Sequence, residues 1–194
     1  MFKKIVIIQG HPDPRPSRFC RVLGDHYAQA AGAAGHEVHL IDVAQLEFPF
    51  LRTKDDFEKS VAPPSVQRAQ TAVRRADHVV IIYPLWLGDV PALLKAFFEQ
   101  LFRPGFAFKA AGRGLPEKLL KGKSARVIVT MGMPAVFYRW YFRAHGLKNL
   151  KRNILGFCGF APIAEDIIGM IEDENGARRE AWLRKMEQYG RLGV

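Results

Sequence analysis

The sequence predicts an α/β protein built on an open, doubly wound parallel sheet of five strands, in the order 2-1-3-4-5. Three observations predict it. Short apolar runs rich in Val and Ile recur at residues 3–9 (KKIVIIQ), 77–83 (DHVVIIY) and 124–131 (SARVIVTM). They lack the polar alternation of a half-exposed strand, as strands buried on both faces do. Each is followed by residues that break regular structure and then by a helix-friendly segment, so strands and helices alternate along the chain. At 194 residues this is one domain, residues 1–194, large enough to hold a core without cross-links.

The elements follow in order. After the first strand comes the breaker-rich Gly10-His11-Pro12-Asp13-Pro14-Arg15-Pro16, then a helix over 18–34 with Ser17 as a candidate N-cap. Residues 36–42 (HEVHLID) alternate and read as the second strand. Residues 43–64 hold three prolines and no clean period, and read as an excursion. A helix over 65–75 leads to the third strand, the loop 84–90, and a helix from Pro91 to about 102. Pro91 suits a first helical turn, and Leu94, Phe97, Phe98 and Leu101 follow helical spacing. A glycine-rich, basic excursion spans 105–122. The fourth strand ends at Met131, and 135–144 is an aromatic and basic helical candidate. Residues 154–159 read as the end of a helix, 163–172 as a fifth, edge-like strand, and 175–189 as a charged closing helix. Five strands in this sequence fit the flavodoxin-like order. In such sheets ligands sit at the strands' carboxyl ends, at the switch point between the first and third strands. Three loops are therefore expected to converge, at 10–17, 84–90 and 130–145.

Composition excludes several classes. Two cysteines, Cys20 and Cys158, exclude a disulfide framework and point to a reducing compartment. The apolar run near the N-terminus is too short for a signal peptide or a membrane span, so a cytoplasmic location is expected. The net charge of +10 is concentrated: residues 103–152 hold twelve Lys/Arg and one acid, Glu117. That block is either a solvated basic face or a field that draws in an anionic ligand. No helix-turn-helix, zinc-finger or RNP motif accompanies it, so no nucleic acid is expected.

The loops carry the candidate chemistry. No Walker A sequence and no G-x-G-x-x-G is present. The first loop ends at a helix start, where free amides and the positive helix end attract an anion, with Ser17 and Arg18 beside them; Ser17 acting only as a cap is the structural alternative. The second loop places Trp86 and Leu87 between two prolines, as core packing or as an apolar floor for a flat ring. The third holds Tyr138 and His145. A helix running through both would put them on one face about 10 Å apart, as donors to developing charge. The alternative there is an aromatic core stripe with an incidental histidine. His36 and His39 face opposite sides of a strand and do not chelate together, so no metal is expected; no nucleophile elbow suggests a Ser, His and Asp set, and Cys158 reads as a core residue.

On these residues the chain resembles the NAD(P)H:quinone oxidoreductases of flavodoxin-like fold, including the modulator-of-drug-activity type. The resemblance rests on Gly10-His11-Pro12 with Ser17, on YPLWLGDVPALLKAFFEQLFRPGFAF at 83–108, on Thr130-Met131-Gly132 with Tyr138 and His145-Gly146, and on ILGFCGF at 154–160. It implies a flavin enzyme, with FAD slightly favoured over FMN. His11, Ser17, Arg18 and Phe19 would hold the phosphate side. Pro84, Leu85, Trp86 and Leu87 would line the ring, and Thr130, Gly132 and Met133 its other edge. Tyr138 and His145 match the pair that stabilises the reduced flavin. The site would lie at a homodimer interface, with Phe106 and Phe108 reaching the partner's flavin and the quinone. Met133 stands where the family has a second glycine, and Ala110 and Ala111 where it has an aromatic pair. The implied reaction is ping-pong transfer of two electrons from NAD(P)H to a quinone-like acceptor, with the basic block favouring NADPH. A non-enzymatic alternative is an ancillary subunit of a potassium efflux system.

Overall fold

The computed structural model describes residues 1–109, 114–172 and 176–194. The chain runs through β1 (Lys4–Gln9), α1 (Phe19–Ala33), β2 (Glu37–Asp42), the short α2 (Lys54–Glu58), α3 (Pro64–Arg75), β3 (His78–Pro84) and α4 (Ala92–Leu101). Then come the two-residue strands β4 (Phe108–Lys109) and β5 (Glu117–Lys118), followed by β6 (Ser124–Thr130), α5 (Ala135–Trp140) and α6 (His145–Asn149). A π-helical stretch (Leu150–Leu155) joins α6 to α7 (Gly156–Cys158); β7 (Ile163–Ile168) and α8 (Gly176–Leu192) follow. The main sheet is parallel throughout, ordered β2-β1-β3-β6-β7, which is the expected 2-1-3-4-5 once the small β4–β5 ribbon is set aside.

β3 lies at the centre, and all seven of its residues are buried. Its alternation feeds two cores. Val79, Ile81 and Tyr83 join the aromatic core with Phe97 and Phe98 of α4 and Leu155. Val80 and Ile82 face the opposite layer, where Leu23 and Tyr27 of α1 meet Met186 of α8. Burial on both faces explains the continuous apolar runs. β1 connects outward to β2, whereas β3 connects the other way to β6, so the switch point lies above the β1–β3 pair.

The structure differs from expectation in places that matter for the site. α1 starts one residue late, and Arg18, not Ser17, occupies its N-cap, with no side-chain cap bond. The helix expected over 135–144 stops at Trp140, because Arg143 and Ala144 take positive φ angles of 52° and 48° and α6 begins afresh. The fifth strand ends at Ile168, not 172, which frees residues 169–172 to turn over the sheet edge. The excursion at 105–122 carries the β4–β5 ribbon; its residues 110–113, with Ala110 and Ala111, lie outside the described residues, as does the expected start of the closing helix at 175.

Candidate functional site

The loop after β1 is held by charge. His11 Nδ1 accepts from the Asp13 N–H at 3.0 Å. The Asp13 carboxylate gathers the guanidinium groups of Arg15 and Arg18, each at 2.5 Å. Bonds to the Arg15 backbone hold its pKa below the usual carboxylate range. Arg21 donates through Nε to the Asp13 carbonyl and bidentately to Asp42, at 2.7 and 2.8 Å. Burial alone would raise the Asp42 carboxyl; the Arg21 guanidinium outweighs it and lowers the pKa. These ties set the mouth of α1. The Arg18 N–H donates to the Arg15 carbonyl, and the N–H groups of Arg21 and Val22 turn back to Arg18. No acceptor among the described residues takes the N–H of Phe19 or Cys20. These two amides, at the positive end of a fifteen-residue helix, are groups of the kind that attract an anion.

The second loop is a tight turn. The Trp86 and Asp89 backbones exchange two hydrogen bonds of 3.0 Å, and Leu87 and Gly88 take φ angles of 48° and 83°. Positive φ at both central residues defines a type I′ turn, which strains Leu87 and favours Gly88. The turn stands clear of the core: Trp86 is 49% and Leu87 108% exposed. Its far side rests on the start of α6, where a Cβ on Gly146 would run into the Gly88 carbonyl oxygen. The His11 ring meets Trp86 edge-on, with centroids 6.1 Å apart.

Between the loops opens a cleft of about 400 Å³. Six of the expected residues line it: His11, Ser17, Arg18, Phe19, Pro84 and Thr130. Cys20, Ile171, Glu172 and Arg179 complete the wall and were not expected. Cys20 Sγ lies 3.1 Å from Thr130 Oγ1, and burial pushes its thiol up to about 12, so it is a packing residue rather than a nucleophile. Ile171 and Glu172 follow β7, so the same strand-end rule would have found them had that strand been ended earlier. Arg179 lies near the start of α8, where a cation opposes the helix dipole. That placement was a readable signal for an anion, and its guanidinium stands 4.6 Å over the Phe19 ring.

Other expected residues go elsewhere. Leu85 and Met133 pack partly buried against the core, Gly132 lies beside the Glu172 carboxylate, and Leu87 projects into solvent. Tyr138 and His145 do not share a helix face, since the chain breaks between them. Tyr138 is buried and its hydroxyl accepts from the Leu147 N–H at 3.2 Å. Burial raises its pKa. His145 is exposed at the first position of α6. Phe106 and Phe108 also part company. Phe106 is 5% exposed, beneath the Arg74 guanidinium and in the core, so it does not reach outward as expected. Phe108 meets Phe157 at 4.9 Å, in an apolar pocket of about 320 Å³ with Phe57, Phe98 and Phe102.

The flavodoxin-like fold profile matches residues 3–190. The chain belongs to the flavodoxin-like fold family. Within it, the chain is 24% identical over 187 residues to an uncharacterized NAD(P)H oxidoreductase of Haemophilus influenzae, covering 94% of this chain and 92% of that protein. It is 28% identical over 214 residues to the ribosyldihydronicotinamide dehydrogenase [quinone] of Pongo abelii, covering 95% and 91%. The solved NAD(P)H:quinone oxidoreductase from Methanothermobacter marburgensis superposes with a TM-score of 0.80 at 22% identity, over 100% of this chain and 99% of that one.

A flavin fits what this member of the flavodoxin-like family presents: free helix-start amides with cations beside them for a phosphate, and an exposed aromatic turn for a planar ring. The preference for FAD is not supported. An FMN-dependent NADH:quinone oxidoreductase of Haemophilus influenzae, 25% identical over 66% of this chain and 68% of its own length, carries the other flavin in its name. Among the described residues no cluster of three or more His, Cys, Asp or Glu is placed to hold a metal ion, and no helix is long and apolar enough to cross a membrane.

Proposed function

We propose that the chain is a flavin-dependent NAD(P)H:quinone oxidoreductase that binds FMN, works by ping-pong exchange of donor and acceptor over one cleft, and acts as a homodimer. The observation that carries this reading is the gathering of the unbonded Phe19 and Cys20 amides, Ser17, Arg18 and Arg179 around one cleft, whose wall residue His11 meets the exposed Trp86 ring edge-on. A flavin held in this cleft would supply two-electron hydride chemistry between a reduced nicotinamide and a quinone.

The residues of the chain divide the remaining work. The helix-start amides, the Ser17 hydroxyl and the two guanidinium groups hold the phosphate. His11 uses Nδ1 as an acceptor, so its neutral ring carries the proton on Nε2 and has a donor to offer. Trp86 and Leu87 form the apolar shelf, with the strained turn presenting both outward. Thr130 fixes the cleft floor through Cys20. His145 is the donor for negative charge that develops during transfer. Tyr138 positions it: the buried phenol keeps its proton and anchors the first turn of α6 through Leu147. Phe108 and its aromatic pocket would face the partner's cleft and exclude water from the acceptor.

The decisive experiment is denaturing release and mass identification of the cofactor, followed by single-turnover mixing with NADPH and a small quinone. The expected result is FMN, with reduction at least about tenfold slower in Tyr138→Phe and His145→Ala while flavin stays bound. Protein that is colourless and takes up neither FMN nor FAD overturns the reading. Wild-type rates in both variants remove the pair from it. If the basic block steers NADPH, added salt lowers its second-order rate constant.

A further inference from the structure

A further pocket opens at the other end of the sheet from the cleft. It holds about 160 Å³ and lies between α3 and the starts of β1 and β2. The alternation of the strands builds one wall. Val6 of β1 and Ile41 of β2 pack with Ala69, Val73 and Ala76, so Lys4 and His39, two residues before them, stand on the same face of the sheet. The register sets Lys4 beside Glu37 and Val6 beside His39. α3 supplies the opposite wall. Its Val66, Ala69 and Val73 face the core. Its Arg68, Thr71, Ala72 and Arg75, spaced i, i+3, i+4 and i+7, run along one edge of the helix over the pocket.

The cations of this wall go unanswered. Lys4, Arg68 and Arg75 line the pocket, with His39 beside them and Glu37 as its one carboxylate. No carboxylate oxygen among the described residues lies within ion-pair distance of Lys4 Nζ or of either guanidinium. Asp77 lies outside the wall, and its carboxylate accepts from the Lys4 N–H at 2.8 Å. The twelve residues of α3 include no acid, so the helix offers no i, i+4 partner of its own. Elsewhere the chain ties neighbouring cations to a shared carboxylate: Arg15 and Arg18 to Asp13, Arg126 and Lys185 to Asp166, Arg139 and Lys151 to Glu165. Arg74, one residue before Arg75, lies over the Phe106 ring at 5.1 Å. Arg68 and Arg75 have neither kind of partner among the described residues.

We propose that this pocket binds a small oxyanion of the phosphate class, as the free ion or as the terminal phosphate of a larger molecule. Cations converging on a concavity from a helix and two strands raise the local potential and offer charge-assisted hydrogen bonds from both walls. Size sets the class. Pockets that enclose a whole organic ligand run about 300–1,000 Å³, so this one takes a phosphate group and leaves any sugar or ring outside. No Phe, Tyr or Trp lines it, so nucleic-acid bases find no platform to stack on. The pocket lies at the amino ends of the strands and the cleft at their carboxyl ends, with the six residues of β1, about 17 Å, between them. The proposal does not rest on the redox reading above.

The test is heteronuclear NMR titration of the purified full chain with inorganic phosphate, in chloride at constant ionic strength. Saturable shifts are expected at the backbone amides of Lys4, Glu37, Thr71 and Ala72, with half-saturation on the order of 1 mM. Arg68→Gln/Arg75→Gln should raise that concentration at least about tenfold, and Arg18→Gln/Arg179→Gln, in the cleft, should leave it within about twofold. The amide spectra show at the same time that both variants are folded. A sugar phosphate that matches inorganic phosphate supports the pocket as a site for a terminal phosphate; shifts with inorganic phosphate alone support it as a site for the free ion. The proposal is overturned by no saturation up to about 50 mM, by shifts confined to the amides of Phe19, Cys20 and Gly132, or by unchanged half-saturation in Arg68→Gln/Arg75→Gln. Sedimentation velocity in which that variant splits a wild-type dimer also overturns it, because the cations then meet a second copy. So does a single-stranded oligonucleotide that shifts the same amides at lower concentration. Binding is read without turnover, so its failure leaves the redox reading intact, and a colourless protein leaves the pocket intact.

Discussion

The loop after β1 and the segment after β6 leave the same end of the sheet and are built in opposite ways. In the first, the charges are tied down within the chain, with Arg18 still lining the cleft: Asp13 gathers Arg15 and Arg18, and Arg21 joins the loop to Asp42. In the second, α5 turns its apolar face outward and is tied inward by little more than the Tyr138–Leu147 bond and the loose Arg139–Glu165 pair. The first arrangement fixes a wall against which a small anion can be held without reorganisation. The second leaves an aromatic face and the cations Arg143, Lys148 and Arg152 open to solvent in the single chain.

The sharpest way to break this comparison is to cut one tie in each region. The Arg21 and Asp42 side chains are only 9% and 13% exposed. Arg21→Ala leaves a desolvated carboxylate without its partner and is expected to cost about 3 kcal/mol, read as a lower urea midpoint, with loss of flavin. Trp140→Ala, on the outward face, is expected to change stability by less than about 0.5 kcal/mol. Equal costs would mean that α5 is packed against something in solution and that the two regions are not opposites.

The same contrast governs what could be read from the chain. The first loop was legible because its signals are local: a breaker-rich strand exit, a helix start, and basic residues at known offsets. β1, β3 and β6 were legible because burial on both faces leaves unmixed apolar runs. The break between Tyr138 and His145 was not legible. Residues 135–144 have ordinary helical composition, and the helix ends because Arg143 and Ala144 adopt left-handed angles that neither residue type announces. Glu172 and Arg179 differ from that break, because each leaves a local signal: Glu172 follows the true end of β7 at Ile168, and Arg179 sets a cation near the start of α8 against the helix dipole. Phe106 and Phe108 looked equivalent, yet the chain turns one into the core and the other into a pocket.

A smaller effect sharpens the account of the second loop. Leu87 holds a φ of 48° without the freedom of glycine, and its side chain is fully in solvent. Leu87→Asn keeps the type I′ turn with a residue suited to it, and is expected to raise stability by about 1 kcal/mol. Flavin affinity should fall in the same variant, because part of the apolar shelf is gone. Stability gained with affinity unchanged would show that Leu87 is strained for some reason other than the ring.

The smallest expected effect concerns His11, and it tests whether the first loop is truly an anion site. Burial lowers the His11 pKa below 6.5; Asp13 works against that shift, and Arg21 adds to it. The unfolded chain therefore takes up this proton before the folded one does. The stability contributed by the neutral ring is complete above about pH 6.5 and is lost as pH falls from there toward the lowered folded value. His78, whose pKa burial pushes down to about 3, acts in the same direction. It is present in wild type and His11→Asn alike, so it cancels in the difference. Flavin-free wild type should then lose more stability than His11→Asn between about pH 7.5 and 5.5, measured as urea midpoints. A bound phosphate beside His11 Nε2 favours the protonated ring and opposes the effect of burial. The excess slope should therefore shrink in flavin-loaded protein; if loading leaves it unchanged, His11 faces the cleft but does not meet the anion.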